Sequence, residues 1–404
     1  MAITLVQNIG LGTATTAGVT STIDEPTAAV NQSQLMMTGN WFAATSVNGG
    51  ANWVHVDPFT LFPAAVGGFC CDQTVLYNPG HQIWVWLLQY SPTATGHNLF
   101  RLAVSRAASF GSWYYWDFSP TNLNATWTTM EFDYPDMAFS NNNLFVTING
   151  YVANAWQRAF VFRFPLATLA AGTSLGYNWW TTTSNGSLRL TQGAGATMHF
   201  GSHNSLSQIR VFDWPDASTS LSWVDVNVRS WSGGPYSSGP VPGGVNWLGR
   251  VDSRITGAGV GAGQIGFMWT ASPDANHPFP YIRVVRINET TKALVDEPDI
   301  WSSRGAWAYP GAAPNSAGQI GVSAFYGGGT NHHPGHVVGV RTATAWDTVL
   351  TATSTNDPAT PAWGDYLSCL MHSPTTAHWV ASGYTMQGGT SRTNVVPRYA
   401  EFHS

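Results

Sequence analysis

Asp24-Glu25-Pro26-Thr27-Ala28-Ala29-Val30-Asn31 is an acidic, proline-bearing entry into small and apolar residues, and it leads into QLMMTGNWFAAT from Gln34 to Thr45. The same order returns as Cys71-Asp72-Gln73-Thr74-Val75-Leu76-Tyr77-Asn78 before IWVWLLQY, which runs from Ile83 to Tyr90. Asp133-Tyr134-Pro135-Asp136-Met137-Ala138-Phe139-Ser140 before NLFVTINGY is a third copy, and Ala308-Tyr309-Pro310-Gly311-Ala312-Ala313-Pro314-Asn315 before QIGVSAFYGGG a further one. Weaker copies begin near Thr197 (TMHFGSHN), Gly249 (GRVDSRIT) and Gly364 (GDYLSCLM). The starts at 24, 71, 133, 197, 249, 308 and 364 are 47 to 64 residues apart. The 41 residues from the last start and the 23 before the first together make 64, one more unit of the same size. Repeats that close through the termini are what a circular β-propeller requires. The reading is therefore an all-β, seven-bladed propeller of four-stranded antiparallel blades spanning residues 1–404. An N-terminal strand, Ile3 to Ile9, finishes the last blade beside Arg398 to Phe402.

Composition agrees. Charged residues make up 9% of the chain and aromatics 13%, with 20 Trp, 42 Gly and 23 Pro. A typical soluble protein is about 25% charged. One Lys (Lys292) and five Glu cannot solvate the outer faces of long amphipathic helices, whereas scattered Gly and Pro punctuate short strands. Abundant aromatics exclude disorder. A net charge of −5 without a basic run argues against nucleic acid, and no apolar stretch reaches the length of a membrane span. The opening MAITLVQNIG has no basic start before an apolar run, so a signal peptide is absent or already removed. Sequons at Asn31, Asn124, Asn185 and Asn288 are weak support for the expectation of a secreted monomer.

Of three cysteines, Cys70 and Cys71 are neighbours and Cys369 stands alone. Free buried thiols are one reading; a disulfide between the neighbours, which would stiffen the turn around Asp72, is the other. Backbone strain gathers at functional sites, which puts Cys70 and Cys71 among the candidate substrate contacts.

In a propeller the inner strand of every blade starts at one face, so the repeat starts form a ring around the channel. Their second positions are Glu25, Asp72, Tyr134, Met198, Arg250, Tyr309 and Asp365. Neighbouring positions add Asp24, Asp133, Gln73, His199 and Tyr366, with Asp136, Arg254 and His203 slightly further along. Scarce charges concentrated in one ring suggest chemistry. The assigned catalytic candidates are Tyr134, His199, Tyr309, Arg250, Glu25 and Asp72. The substrate contacts are Asp24, Gln73, Asp133, Asp136, Arg254, Asp365, Tyr366, Cys70 and Cys71.

Ser46-Val47-Asn48-Gly49-Gly50-Ala51-Asn52-Trp53 resembles the Asp box, S-x-D-x-G-x-T-W, of the sialidase-like (BNR-repeat) propellers, with Asn48 in place of Asp. SRAASFGSW, Ser105 to Trp113, is a degenerate second copy. The resemblance implies secreted carbohydrate-active propellers, in which the box is structural and lies away from the substrate. It also implies, for sialidases themselves, three Arg gripping a carboxylate and a Tyr–Glu nucleophile pair. Here the ring holds Arg250 and Arg254 and no Glu paired with a Tyr.

Three functions fit a polysaccharide or oligosaccharide over the channel mouth. A lyase needs donors for a uronate carboxylate and a Tyr or His to take a proton, which Arg250, Arg254, His199 and Tyr134, Tyr309 or Tyr366 could supply. A glycoside hydrolase needs two carboxylates, from Glu25, Asp72, Asp133 and Asp365. The third is a lectin or extracellular scaffold. The Tyr/His/Arg mixture tilts the expectation toward the lyase. Asn331-His332-His333-Pro334-Gly335-His336 reads as a polar loop rather than a metal site; no catalytic metal or cofactor is implied, and Ca²⁺ or Zn²⁺ is left open as a structural ion. Trp179, Trp180, Trp231 and Tyr236 read as inter-blade packing ahead of sugar platforms.

Overall fold

Runs such as Ile83–Tyr90 are buried at all eight positions. Both faces of such a strand meet neighbouring sheets, so no polar alternation survives. Outer strands keep it: Thr4–Gly10 alternates exposed and half-buried residues. A computed structural model describes residues 2–12, 20–329 and 332–404. Its strands form seven antiparallel sheets of four, six of them in sequence order from the inside outward. The innermost strands are Thr27–Asn31, Phe69–Asn78, Glu131–Phe139, Arg189–Leu190, Ile255–Gly261, Ala306–Pro314 and Cys369–Met371, and they number blades 1 to 7. The protein is a seven-bladed β-propeller. Among the described residues no helix is long and apolar enough to cross a membrane.

Blade 7 is closed by both ends of the chain. Thr4–Gly10 lies outermost and pairs antiparallel with Val395–His403, Thr4 opposite His403 and Gly10 opposite Arg398. Inner strands start at the channel mouth. Loops between first and second strands, and between third and fourth, therefore lie on the far face. Ser46–Trp53 occupies such a far-face hairpin: the Gly50 N–H donates to Ser46 Oγ (2.9 Å), and the Asn52 N–H to Asn48 Oδ1 (2.9 Å). Trp53 packs on Tyr399 of blade 7, 6.1 Å between ring centres.

Two expectations about the repeat are corrected. Thr197 begins the second strand of blade 4, Thr197–Ser205, not the first. The true inner strand, Arg189–Leu190, is only two residues long and too short to leave a β signature. In blade 5 regular pairing starts at Ile255, beyond the Gly249 start. The His-rich run is also not a loop: His332–Arg341 is a strand, with Asn331 outside the described residues. His336 is fully buried between Ser323 Oγ (2.8 Å) and Thr351 Oγ1 (2.7 Å), and burial pushes its imidazole down to about 3. His333 pairs instead with Asp357 at 2.8 Å.

Candidate active site at the channel mouth

Four non-glycine residues at the entry to inner strands have left-handed backbones: Glu25 (φ 50°), Tyr134 (φ 60°), Ser187 (φ 48°) and Tyr309 (φ 56°). Each costs roughly 1–2 kcal/mol relative to an ordinary conformation. Pro follows three of them, and the strands starting at blades 2, 3 and 6 carry a register shift at the same level. In blade 2 the shift falls between Phe69 and Gln73 and contains the disulfide-bonded pair Cys70–Cys71, whose Cα atoms are 3.7 Å apart. Strained entries and bulges re-aim side chains out of the regular alternation.

The side chains so placed converge. Glu25 and Asp72 are both buried, and their carboxyls interact. Asn40 Nδ2 donates to Glu25 Oε2 at 2.9 Å and holds that carboxyl in place. Asp365 receives two bonds from Arg250, Nε at 3.1 Å and Nη2 at 3.0 Å, and lies 3.2 Å from Arg254 Nη2. Arg254 also pairs with Asp252 at 2.5 Å and lies 3.8 Å from the centre of the Tyr134 ring. Tyr134 meets Tyr366 edge to face at 5.9 Å. Their hydroxyls are buried with no hydrogen-bond partner among the described residues, an opening for a hydroxyl-rich ligand. The Tyr309 hydroxyl donates to the Trp363 carbonyl at 3.2 Å.

Burial dominates the electrostatics. Desolvation, reinforced by Asp133 and Asp365, pushes the Asp72 carboxyl up to about 7. Desolvation also holds Glu25 well above the usual carboxylate range, and the Asp72 and Asp365 charges add to it. Two adjacent carboxyls in low dielectric cannot both ionise, so the pair retains a proton near neutrality. The Tyr134, Tyr309 and Tyr366 phenols are all pushed up by burial.

Other expected ring members lie elsewhere. His199, on the second strand of blade 4, is bonded to Asp213 (2.6 Å) and Glu289 (3.3 Å), with Lys292 closing the cluster on Asp213 at 2.8 Å. Met198 shares that strand and is buried; His203 is wedged between Trp231 and Trp269, each 4.7 Å from it. Gln73 spends its amide on Gly39 (2.8 Å), Phe42 (2.9 Å) and Trp86 (2.9 Å), a structural role. Asp136 joins blades 3 and 4 through the Leu190 N–H (3.0 Å) and Arg189 (3.3 Å). Asp24 is fully buried, accepts from Thr20, and is pushed up to about 8 by desolvation. Asp133 accepts from Gln89 at 2.8 Å, and its charge reaches Asp72. Sequence reading missed Asn40, Ser187 and Asp252. The GRVDSR run contained Asp252 within two residues of Arg254, and that spacing was the available signal.

No protein-family model matches the chain, and no curated protein matches it. Among solved structures it is similar to the α-L-arabinofuranosidase Arb93A from Fusarium graminearum, with 10% identity, TM-score 0.47, and coverage of 94% of this chain and 92% of that one. It is also similar to a protein of unknown function from Dyadobacter fermentans (8% identity, TM-score 0.48, 82% and 93% covered). A third is Trypanosoma rangeli sialidase (12% identity, TM-score 0.42, 91% and 66% covered). The likeness is one of architecture. The chemistry rests on the side chains at the mouth.

Proposed function

We propose that the protein is an extracellular glycoside hydrolase acting on a neutral glycan at the channel mouth. The observation that carries this reading is the buried, interacting Glu25–Asp72 carboxyl pair, in which Asp72 is pushed up to about 7. A general acid works best with a proton affinity near the operating pH. The pair delivers its proton to the glycosidic oxygen as the bond to the anomeric carbon breaks and its electrons pass to that oxygen. Salt-bridged Asp365 faces the positive charge developing on the sugar. Water then adds to the anomeric carbon, and its proton returns to a carboxylate of the cluster. Entry runs past Arg250, whose side chain is 48% exposed.

Two features favour hydrolysis over the lyase. His199 is engaged elsewhere, and phenols pushed upward by burial are poor bases. Five acids (Glu25, Asp72, Asp133, Asp252, Asp365) against two guanidinia, Arg250 and Arg254, would also repel a uronate. The vicinal disulfide suits an oxidising compartment. The test is incubation with neutral and uronate-containing polysaccharides, following new reducing ends together with the ultraviolet absorbance of an unsaturated uronate. Reducing ends alone, lost in Glu25→Gln, are expected. Unsaturated product would restore the lyase, and binding without turnover would make the protein a lectin.

A further inference from the structure

Opposite the mouth, the seam between blades 5 and 6 holds a hollow of about 340 Å³. A second hollow of about 290 Å³ adjoins it and runs along the seam toward the mouth end, and Arg341 and Trp346 line both. Together they have the size of small-molecule sites, roughly 300–1,000 Å³. The first is walled by the ends of blade strands around residues 261–264 and 340–347, which topology puts on the far face.

The walls are those of a ligand site. Trp346 is fixed by its Nε1 bond to the Pro298 carbonyl at 2.6 Å, so its indole is held at the junction of the hollows. Trp301, 50% exposed, stands over the second hollow and packs edge-on against His277 at 5.3 Å, which itself stacks on Tyr281 at 3.8 Å. Held aromatic faces of this kind stack on the apolar faces of sugar rings. Polar capacity sits between them. Arg341 gives Nη1 to the Ala345 carbonyl at 2.7 Å, while its buried Nε has no hydrogen-bond partner among the described residues. The buried Trp307 Nε1 is in the same state. Arg286, on the wall of the first hollow, is already bidentate to Asp296.

Gly266 supplies an independent indication. It lies inside the strand Gln264–Ala271, where glycine weakens the sheet. A Cβ there would meet nothing closer than the Gly259 carbonyl oxygen at 3.7 Å, so neither packing nor backbone conformation demands glycine. What glycine preserves is the space of the hollow that it lines.

We propose that this seam is a second, non-catalytic site for a neutral oligosaccharide, which anchors a glycan along the groove between blades 5 and 6, apart from the reacting carboxyls. The ligand's rings lie against Trp346 and Trp301, and its hydroxyls take up Arg341. The site stands whether or not the mouth is hydrolytic.

The test is calorimetric titration of the Glu25→Gln protein with soluble linear hexasaccharides of glucose, xylose and arabinose, repeated with Gly266→Val and with Trp346→Ala added. The expected result is binding of at least one hexasaccharide, weakened at least tenfold by either addition. Gly266→Val fills the hollow and removes no contact, so its loss of binding cannot be attributed to a missing packing partner. Introduced alone, Gly266→Val should leave any turnover of a small aryl glycoside at the mouth within twofold of wild type. Hexasaccharide affinity unchanged by both additions, or no binding of any hexasaccharide, would overturn the proposal. Absence of turnover in wild type with seam binding intact would instead count against the hydrolase reading alone.

Discussion

Glu25 and Asp72 bring two buried, interacting carboxyls together across the seam between blades 1 and 2, although 47 residues of chain separate them. Each carboxyl is raised chiefly by burial and then by the other acids around it. Glu25→Gln and Asp72→Asn should each lower hydrolysis by about 10²–10⁴-fold, the worth of a positioned acid. With Asp72 as the group that hands the proton on, wild-type activity should fall as pH rises past about 7, although Glu25 keeps its own proton to higher pH. Initial rates from pH 5 to 9 check this; a profile flat through that range would remove the pair from the mechanism.

Arg250 and Arg254 grip the same carboxylate from different depths. The Arg250 side chain is 48% exposed and that of Arg254 22%. Arg250→Gln should cost less than about 1 kcal/mol of stability, as partly exposed pairs do. Arg254→Gln should cost more, about 1–3 kcal/mol, because the buried Asp365 and the Tyr134 ring then lose a half-buried charged partner. Both should lower turnover. Urea unfolding beside kinetics separates the effects, and equal stability losses would contradict the burial difference.

Asp24 offers a clean pH test of the fold. Its folded proton affinity is raised to about 8 by desolvation, against 3.8 for the free side chain. A raised carboxyl stabilises the fold in its neutral form, so that contribution is full below about 4 and drains away as pH rises toward about 8. Asp24→Asn keeps an acceptor for Thr20 and removes the ionisation. Relative to wild type, it should gain stability as pH rises from about 4 to about 8, by on the order of 5 kcal/mol at most. Thermal unfolding across that range measures it. Parallel melting curves for the two proteins would show that Asp24 does not carry this term.

The Cys70–Cys71 disulfide closes almost no loop, so removing it should change global stability little. It spans the bulge immediately before Asp72, and its loss should show in the site instead. Cys70→Ser/Cys71→Ser should lower turnover at least tenfold with a midpoint of urea unfolding close to wild type. Mass spectrometry of the unreduced protein should find the pair two hydrogens lighter than free thiols; two alkylatable thiols would refute the bond.

The mouth was legible where a blade opens on a long inner strand. Glu25 stands just before its inner strand and Asp72, Tyr134 and Tyr309 near the start of theirs, and they reach the ring or its walls. Blade 4 was not legible, since Arg189–Leu190 is too short to show and the stronger pattern at Thr197 belongs to the next strand. That one displacement carried His199 into an expected site from which the structure removes it. Gln73 and Asp136 were found at the right level but are engaged by Trp86 and Arg189, which nothing local announces.

Repeat spacing, strand-forming runs and matching end fragments determine seven blades and their closure, because these are local patterns that a circular fold must repeat. The neighbours of each ring side chain are decided only by the tertiary structure. Left-handed backbones at Glu25, Tyr134 and Tyr309 and the bulge at Cys70–Cys71 turn side chains across blade seams. Proton affinity at the mouth follows from burial and from charges brought together from blades 1, 2, 3, 5 and 7. Desolvation and Coulomb energy depend on distance in space, and sequence order does not encode that distance.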